Sequence, residues 1–181
     1  MNPVPNPIDS LRLIDRLRRI KVAAFDVDGV LTDGGLTFDD TGRELKTFNA
    51  RDGLGFDLLR RHGIRLAIIT GRTSSIVERR MLALRVDVVI QGAQDKSAAL
   101  DAVLAQLNVH ASEVSYLGDD LIDAPALRRV GLAATVADGH PELDVHVRLQ
   151  ARGGFGAARE LAEMILRAQL DVDALVPVFY P

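Results

Sequence analysis

Apolar residues in this chain fall into short continuous runs separated by segments of helical period. Residues 22–27 (VAAFDV), 65–70 (RLAIIT), 87–90, 114–117 and 132–136 are apolar runs of strand length. Between them apolar side chains recur every three or four residues. Leu11, Ile14 and Leu17 mark one stripe, residues 54–62 form a second segment closed by Gly63, and Val77, Met81 and Leu84 mark a third. Leu100, Val103, Leu104 and Leu107, then residues 121–130, then Ala157, Leu161, Ile165 and Ala168 complete the series. Strands alternating with helices predict an α/β fold, a Rossmann-like three-layer sandwich whose central parallel sheet is covered on both faces.

One stretch departs from the alternation. In residues 34–48, Leu36-Thr37-Phe38 and residues 44–48 flank the turn-rich Asp39-Asp40-Thr41-Gly42, which predicts a β-hairpin. Residues 1–7 are proline-rich and read as a loose arm leading into a short amphipathic helix over 8–19. The end of the chain, LDVDALVPVFYP, is too apolar for a free tail and is expected to dock. The expected organisation is an arm and helix over 1–20, one domain over 21–169 carrying the hairpin, and a tail over 170–181.

Composition narrows the chemistry. A chain of 181 residues, 48% hydrophobic and 26% charged, can build one core without disulfides or a structural metal. The absence of cysteine removes thiol catalysis, zinc fingers and iron–sulfur clusters. A net charge of -3 and 4% aromatics, none of them Trp, argue against a nucleic-acid partner. No apolar run is long enough for a membrane span, and the start of the chain lacks the pattern of a signal peptide, so a cytoplasmic protein is expected.

In an open α/β sheet ligands gather at the carboxyl ends of the strands. Asp26-Val27-Asp28-Gly29 follows the first predicted strand, Thr70-Gly71-Arg72 the second, and Gly118-Asp119-Asp120 the fourth, with Asp123 a turn later. Lys96 opens the helix before that fourth strand. Taken singly, an Asp-x-Asp serves as a turn or cap, a Thr-Gly is an ordinary turn, and a lone Lys is a solvated charge. Together they bring carboxylates, a hydroxyl and an ammonium to one edge. Clustered carboxylates repel each other unless a cation lies between them, and an all-oxygen donor set favours Mg²⁺ over zinc.

These motifs resemble those of the haloacid dehalogenase superfamily of phosphohydrolases, matched by Asp26/Asp28, Thr70, Lys96 and Asp119/Asp123. More narrowly, FDVDGVLTDG, GRELKTFNARDG, IITGR, GDDLIDAP, VADGHP and RGGFGAARE are similar to strings of the capless subfamily of 3-deoxy-D-manno-octulosonate 8-phosphate phosphatases. The resemblance runs from about residue 21 to 169 and implies a hairpin in place of a cap domain. It implies Asp26 as nucleophile and Asp28 as general acid and base, the latter calling for anionic neighbours that keep it protonated. Gly29 and Gly71 would offer backbone amides to phosphate, Thr70 a hydroxyl, and Lys96 a positive charge. Mg²⁺ would be held by the Asp26 and Asp119 carboxylates and the main-chain oxygen of Asp28. Asp120 and Asp123 would stand behind them, Asp123 orienting Lys96 or a metal-bound water and Asp120 doubling as a helix cap. Arg72, Arg51 and Lys46 are the candidates for recognising the carboxylate of a phosphorylated sugar acid. Phe155 replaces a polar or basic residue of the subfamily. The subfamily also implies a homotetramer in which hairpins cover neighbouring sites. The alternatives are a phosphatase for a related nonulosonate phosphate, and a catalytically silent oligomerisation module of the same fold.

Overall fold

The computed structural model describes residues 7–170, with side chains from Leu11 onward. The arm as far as Asn6 and the tail from Asp171 lie outside the described residues, and so does any docking of that tail. In chain order the elements are α1 (Pro7–Arg18), β1 (Val22–Phe25), β2 (Thr37–Phe38), β3 (Glu44–Leu45), α2 (Ala50–Arg61), β4 (Arg65–Ile69), α3 (Ser75–Ala83), β5 (Val88–Ile90), α4 (Lys96–Leu107), β6 (Val114–Gly118), α5 (Ala124–Leu127), β7 (Leu132–Thr135), β8 (Val147–Arg148) and α6 (Ala157–Gln169).

Six strands form one sheet in the order β5-β4-β1-β6-β7-β8, every neighbouring pair parallel. Strands buried on both faces need no polar alternation, which is why VAAF and RLAII read as continuous apolar runs. One core packs Leu17, Phe56, Met81, Leu161 and Ile165 from α1, α2, α3 and α6 against one face. A second packs Leu100, Val103, Tyr116 and Leu127 against the other, under α4 and α5. The chain runs outward from β1 through β4 to β5, then returns to β6 and runs the opposite way. The order therefore reverses between β1 and β6, and a crevice opens beyond their carboxyl ends.

Several boundaries differ from the sequence reading for local reasons. Helix α2 begins at Ala50, four residues before the predicted start, because the Asn49 side chain caps it by accepting from the Arg51 N–H. The predicted helix over 121–130 is a 3₁₀ turn, Leu121–Asp123, followed by the four-residue α5, with Pro125 in its first turn. The hairpin strands are only two residues each. The edge strand β8 carries no apolar run, so nothing in the pattern announced it. Among the described residues, no helix is long and apolar enough to cross a membrane.

Candidate active site

Asp26 directly follows β1, and its N–H donates to Leu117 O on β6 at 2.9 Å, which pins it at the point where the sheet order reverses. Its carboxylate is buried and lies 3.0 Å from the Lys96 ammonium. Lys96 is the first residue of α4, where the Asp95 side chain caps the helix, and it is 2% exposed. A buried ammonium needs acceptors on every side. Lys96 Nζ finds them in Asp26, in Asp123 Oδ1 at 3.0 Å, in Ile69 O at 2.8 Å and in the Tyr116 hydroxyl at 3.1 Å.

Asp123 is fully buried and fully engaged. Oδ1 accepts from the Tyr116 O–H at 2.7 Å and pairs with Lys96, while Oδ2 accepts the N–H groups of Asp119 and Asp120 at 3.0 and 3.3 Å. One carboxylate thus fixes the ammonium and the loop that carries Asp119. Asp120 is exposed and caps the 3₁₀ turn through the Leu121 N–H at 2.7 Å. Its placement is that of a cap.

Carboxylate oxygens of Asp26, Asp119 and Asp123 lie within 4.8 Å of one another. Burial, followed by the Asp123 charge, pushes Asp26 up to about 6 despite Lys96. Burial together with Asp123, Asp26 and Asp120 pushes Asp119 up to about 7. One ammonium does not balance three carboxylates. Because Asp123 is saturated by internal donors, Asp26 and Asp119 are the oxygens left for a cation, and they fit a hard ion such as Mg²⁺. Close approach is built into the backbone here. Gly29 has φ +86°, and a Cβ on it would come within 2.1 Å of Asp119 Oδ2.

Asp28 lies in a different field. Its carboxylate ion-pairs with the Lys46 ammonium from the hairpin, and Arg72 Nε stands 3.8 Å from its other oxygen. The expectation of anionic neighbours is corrected: cations flank Asp28, and the crowding of like charges falls on Asp26 and Asp119. Thr70 is buried at the end of β4, its N–H on Ile90 O at 2.9 Å, and Gly71 follows half-buried, its carbonyl accepting from Gln94. Arg72 Nη2 also pairs with Glu44 Oε1 at 2.9 Å. Arg51 is exposed on the first turn of α2. Phe155 is 61% exposed, in a loop whose Gly153 packs so closely on the Gly29 carbonyl that a Cβ would meet it at 1.9 Å.

Tyr116, Glu44 and Ser74 belong to the site and were missed by sequence reasoning. Tyr116 sits in an apolar strand run, where an aromatic residue reads as core. Glu44 and Ser74 carry no local signal; they meet only because the hairpin folds over α3, where the Ser74 hydroxyl donates to Glu44 Oε2 at 3.0 Å.

Residues 49–131 match the model of the haloacid dehalogenase-like hydrolases. The 3-deoxy-D-manno-octulosonate 8-phosphate phosphatase of Yersinia pestis is 43% identical over 159 residues, 87% of this chain and 85% of that one. A probable YrbI family phosphatase from Pseudomonas syringae superposes with a TM-score of 0.90 at 46% identity, covering 94% of this chain and 98% of that one. The 3-deoxy-D-manno-octulosonate 8-phosphate phosphatase of Moraxella catarrhalis, solved with magnesium, phosphate and KDO, superposes with a TM-score of 0.89 at 40% identity, covering 92% and 97%.

Proposed function

The chain belongs to the 3-deoxy-D-manno-octulosonate 8-phosphate phosphatase family of haloacid dehalogenase-like hydrolases, and from that premise we propose that it hydrolyses this phosphorylated sugar acid to the free acid and phosphate, a step in making a lipopolysaccharide precursor. The observation that carries the reading is the buried Asp26–Lys96 pair facing Asp119 at the sheet reversal. It occurs in a chain 40% identical to a relative that binds magnesium, phosphate and KDO.

Asp26 attacks phosphorus and becomes an aspartyl phosphate; a carboxylate serves because it needs no base. Lys96, anchored by Asp123 and Tyr116, holds the nucleophile's charge and the transferring group in place. The Thr70 hydroxyl and the amides near Gly29 and Gly71 donate to phosphoryl oxygens. Asp28 gives its proton to the leaving alkoxide oxygen of the sugar as the P–O bond breaks, then takes a proton from the water that cleaves the aspartyl phosphate. Bound Mg²⁺ would screen the approach of carboxylate to phosphate, held by Asp26, Asp119 and the main-chain oxygen of Asp28. Arg72 and Lys46 receive the substrate carboxylate, with Arg51, exposed on the first turn of α2, as the further candidate.

The same reading makes the protein a homotetramer acting in the cytoplasm. The hairpin leaves Leu36, Phe38 and Leu45 about half exposed on a two-stranded ribbon that is marginal by itself, which supports packing against other copies. A phosphorylated sugar acid is too charged to cross a bilayer unaided, which places enzyme and substrate on the same side. Sizing by light scattering tests the assembly, and an active monomer would overturn it. A panel of phosphorylated 2-keto sugar acids tests the substrate. The eight-carbon 8-phosphate should lead in kcat/KM, and a flat profile would refute the assignment.

A further inference from the structure

The cations of the hairpin edge are already matched by carboxylates. Lys46 lies between Asp28 and Glu44, its ammonium pairing with Asp28 and standing 3.5 Å from Glu44 Oε1. Arg72 bridges the same two carboxylates, with Nη2 2.9 Å from Glu44 Oε1 and Nε 3.8 Å from Asp28 Oδ2. The Lys46 side chain is 1% exposed, that of Glu44 17% and that of Arg72 47%, so the receptor is enclosed around Lys46 and open to solvent at Arg72. Its charges balance at two cations to two carboxylates. Glu44 is held below the ordinary carboxylate range by Ser74, Lys46 and Arg72, despite its partial burial. Beside it a groove of about 610 Å³ runs between the hairpin and the start of α3, lined by Arg43, Glu44, Lys46, Thr73 and Ser74. That volume is within the range of small-molecule sites.

We propose that Glu44 is a placeholder for the substrate carboxylate: its Oε1 fills the position between Arg72 and Lys46 that the sugar acid must take, and binding exchanges one carboxylate for the other. The inference rests on the sugar-acid reading above and deepens it. A phosphorylated 2-keto acid brings its carboxylate and its phosphate to the site at opposite ends of one molecule. With Glu44 in place, the incoming carboxylate would crowd a second carboxylate onto the same Arg72 and Lys46 position, and like charges in a partly buried site oppose that. With Glu44 swung into the groove, the original balance returns. Ser74 takes the other oxygen, Oε2, and touches neither cation in this network, so it acts as the latch of the resting state. With neither Glu44 nor a ligand in place, the buried Lys46 and the part-exposed Arg72 would face one carboxylate, and Glu44 offsets the cost of desolvating Lys46. The exchange also confers selectivity. A phosphate ester with no carboxylate cannot displace Glu44 and gains nothing from the receptor.

The test compares two substrates on the Mg²⁺-loaded enzyme: 3-deoxy-D-manno-octulosonate 8-phosphate and p-nitrophenyl phosphate, which has no carboxylate. In Glu44→Gln the amide can still bond to Arg72 but brings no charge, so KM for the sugar acid phosphate should fall about five- to tenfold relative to that for p-nitrophenyl phosphate. Ser74→Ala, which removes only the latch, should move the ratio the same way by a smaller factor. It also keeps the proposal testable if the Gln variant folds poorly. An unchanged ratio, or a rise in KM for the sugar acid, would show Glu44 to be a strut that positions Arg72 and would overturn the exchange. Failure of the underlying reading looks different: the wild-type enzyme itself would show no preference for the carboxylated substrate.

Discussion

Replacing Tyr116 with Phe removes one oxygen from the centre of the Lys96 network and changes little else, because the ring stays fully buried between strands. Three contacts go: the O–H donated to Asp123 at 2.7 Å, its longer approach to Ile69 O at 3.4 Å, and the bond accepted from Lys96 at 3.1 Å. Burial and the neighbouring carboxylates push the phenol well above 10, so it is a hydroxyl donor at every working pH. Hydrogen bonds to charged groups contribute about 1.5–3 kcal/mol each. Lys96 keeps Asp26, Asp123 and Ile69 O, three acceptors for three N–H groups, so the loss falls mainly on Asp123 Oδ1. A stability loss of about 2 kcal/mol follows, measured by urea unfolding. Asp123 also holds the Asp119 and Asp120 amides, so loosening it shifts both Lys96 and the Asp119 loop. A loss of about 1.4 kcal/mol in transition-state stabilisation gives a tenfold lower kcat, with KM within about twofold because no group on the substrate side is altered. The same stability loss with kcat unchanged would reduce Tyr116 to a core residue and refute its positioning role.

The other predictions concern separate parts of the site and the core. In Gly29→Ala, the new Cβ meets Asp119 Oδ2, and the positive φ costs about 1 kcal/mol more; Mg²⁺ affinity by calorimetry should fall, and unchanged affinity would exclude Asp119 as a ligand. Asp26→Asn should abolish phosphate release while the thermal transition survives, and wild-type turnover in this variant would refute the nucleophile assignment. EDTA should stop turnover and added Mg²⁺ restore it, whereas EDTA-resistant activity would count against the cation site. Asp52, buried and accepting the Arg159 N–H at the start of α6, is pushed from 3.8 up to about 6 by burial. The folded state therefore holds this proton more tightly than the unfolded chain, and wild type gains stability relative to Asp52→Asn as pH falls from about 6 to about 4. The gain is about 3 kcal/mol at 1.36 kcal/mol per pH unit, and a difference independent of pH in urea unfolding would refute it.

How much of the site could be read from sequence follows from how each residue was placed. Asp26, Thr70 and Asp119 sit at the ends of apolar strands, so the rule that parallel sheets bind ligands at their carboxyl edge makes them legible in the sequence. Lys96 was legible as the opening residue of a helix. Tyr116 was not, because a buried aromatic in a strand has the same pattern whether or not its hydroxyl works. Glu44 and Ser74 were not, because their partnership depends on how the hairpin lies over α3, and loop orientation leaves no periodic trace. Asp120 reads as both cap and site support; it caps a 3₁₀ turn where a helix was predicted, and its charge also raises Asp119.

The clearest divergence concerns the two carboxylates of Asp26-Val27-Asp28. Had β1 continued, the strand period of two would have put both on one face in one electrostatic field. Instead β1 ends at Phe25 and the chain turns, with Val27 O accepting from the N–H groups of Val30, Leu31 and Thr32. The turn carries Asp26 inward to Lys96 and the acidic cluster, while Asp28 faces Lys46 and Arg72 from the hairpin side. A nucleophile and a proton carrier have opposite needs, one a fixed buried carboxylate and the other a proton exchanged with substrate and water. The tight turn over residues 27–32 separates those needs between two side chains that are chemically identical and two residues apart. Asp28's cations arrive on the hairpin and the Thr70 loop, whereas Lys96 reaches Asp26 from the start of α4, so the two carboxylates are anchored by separate elements.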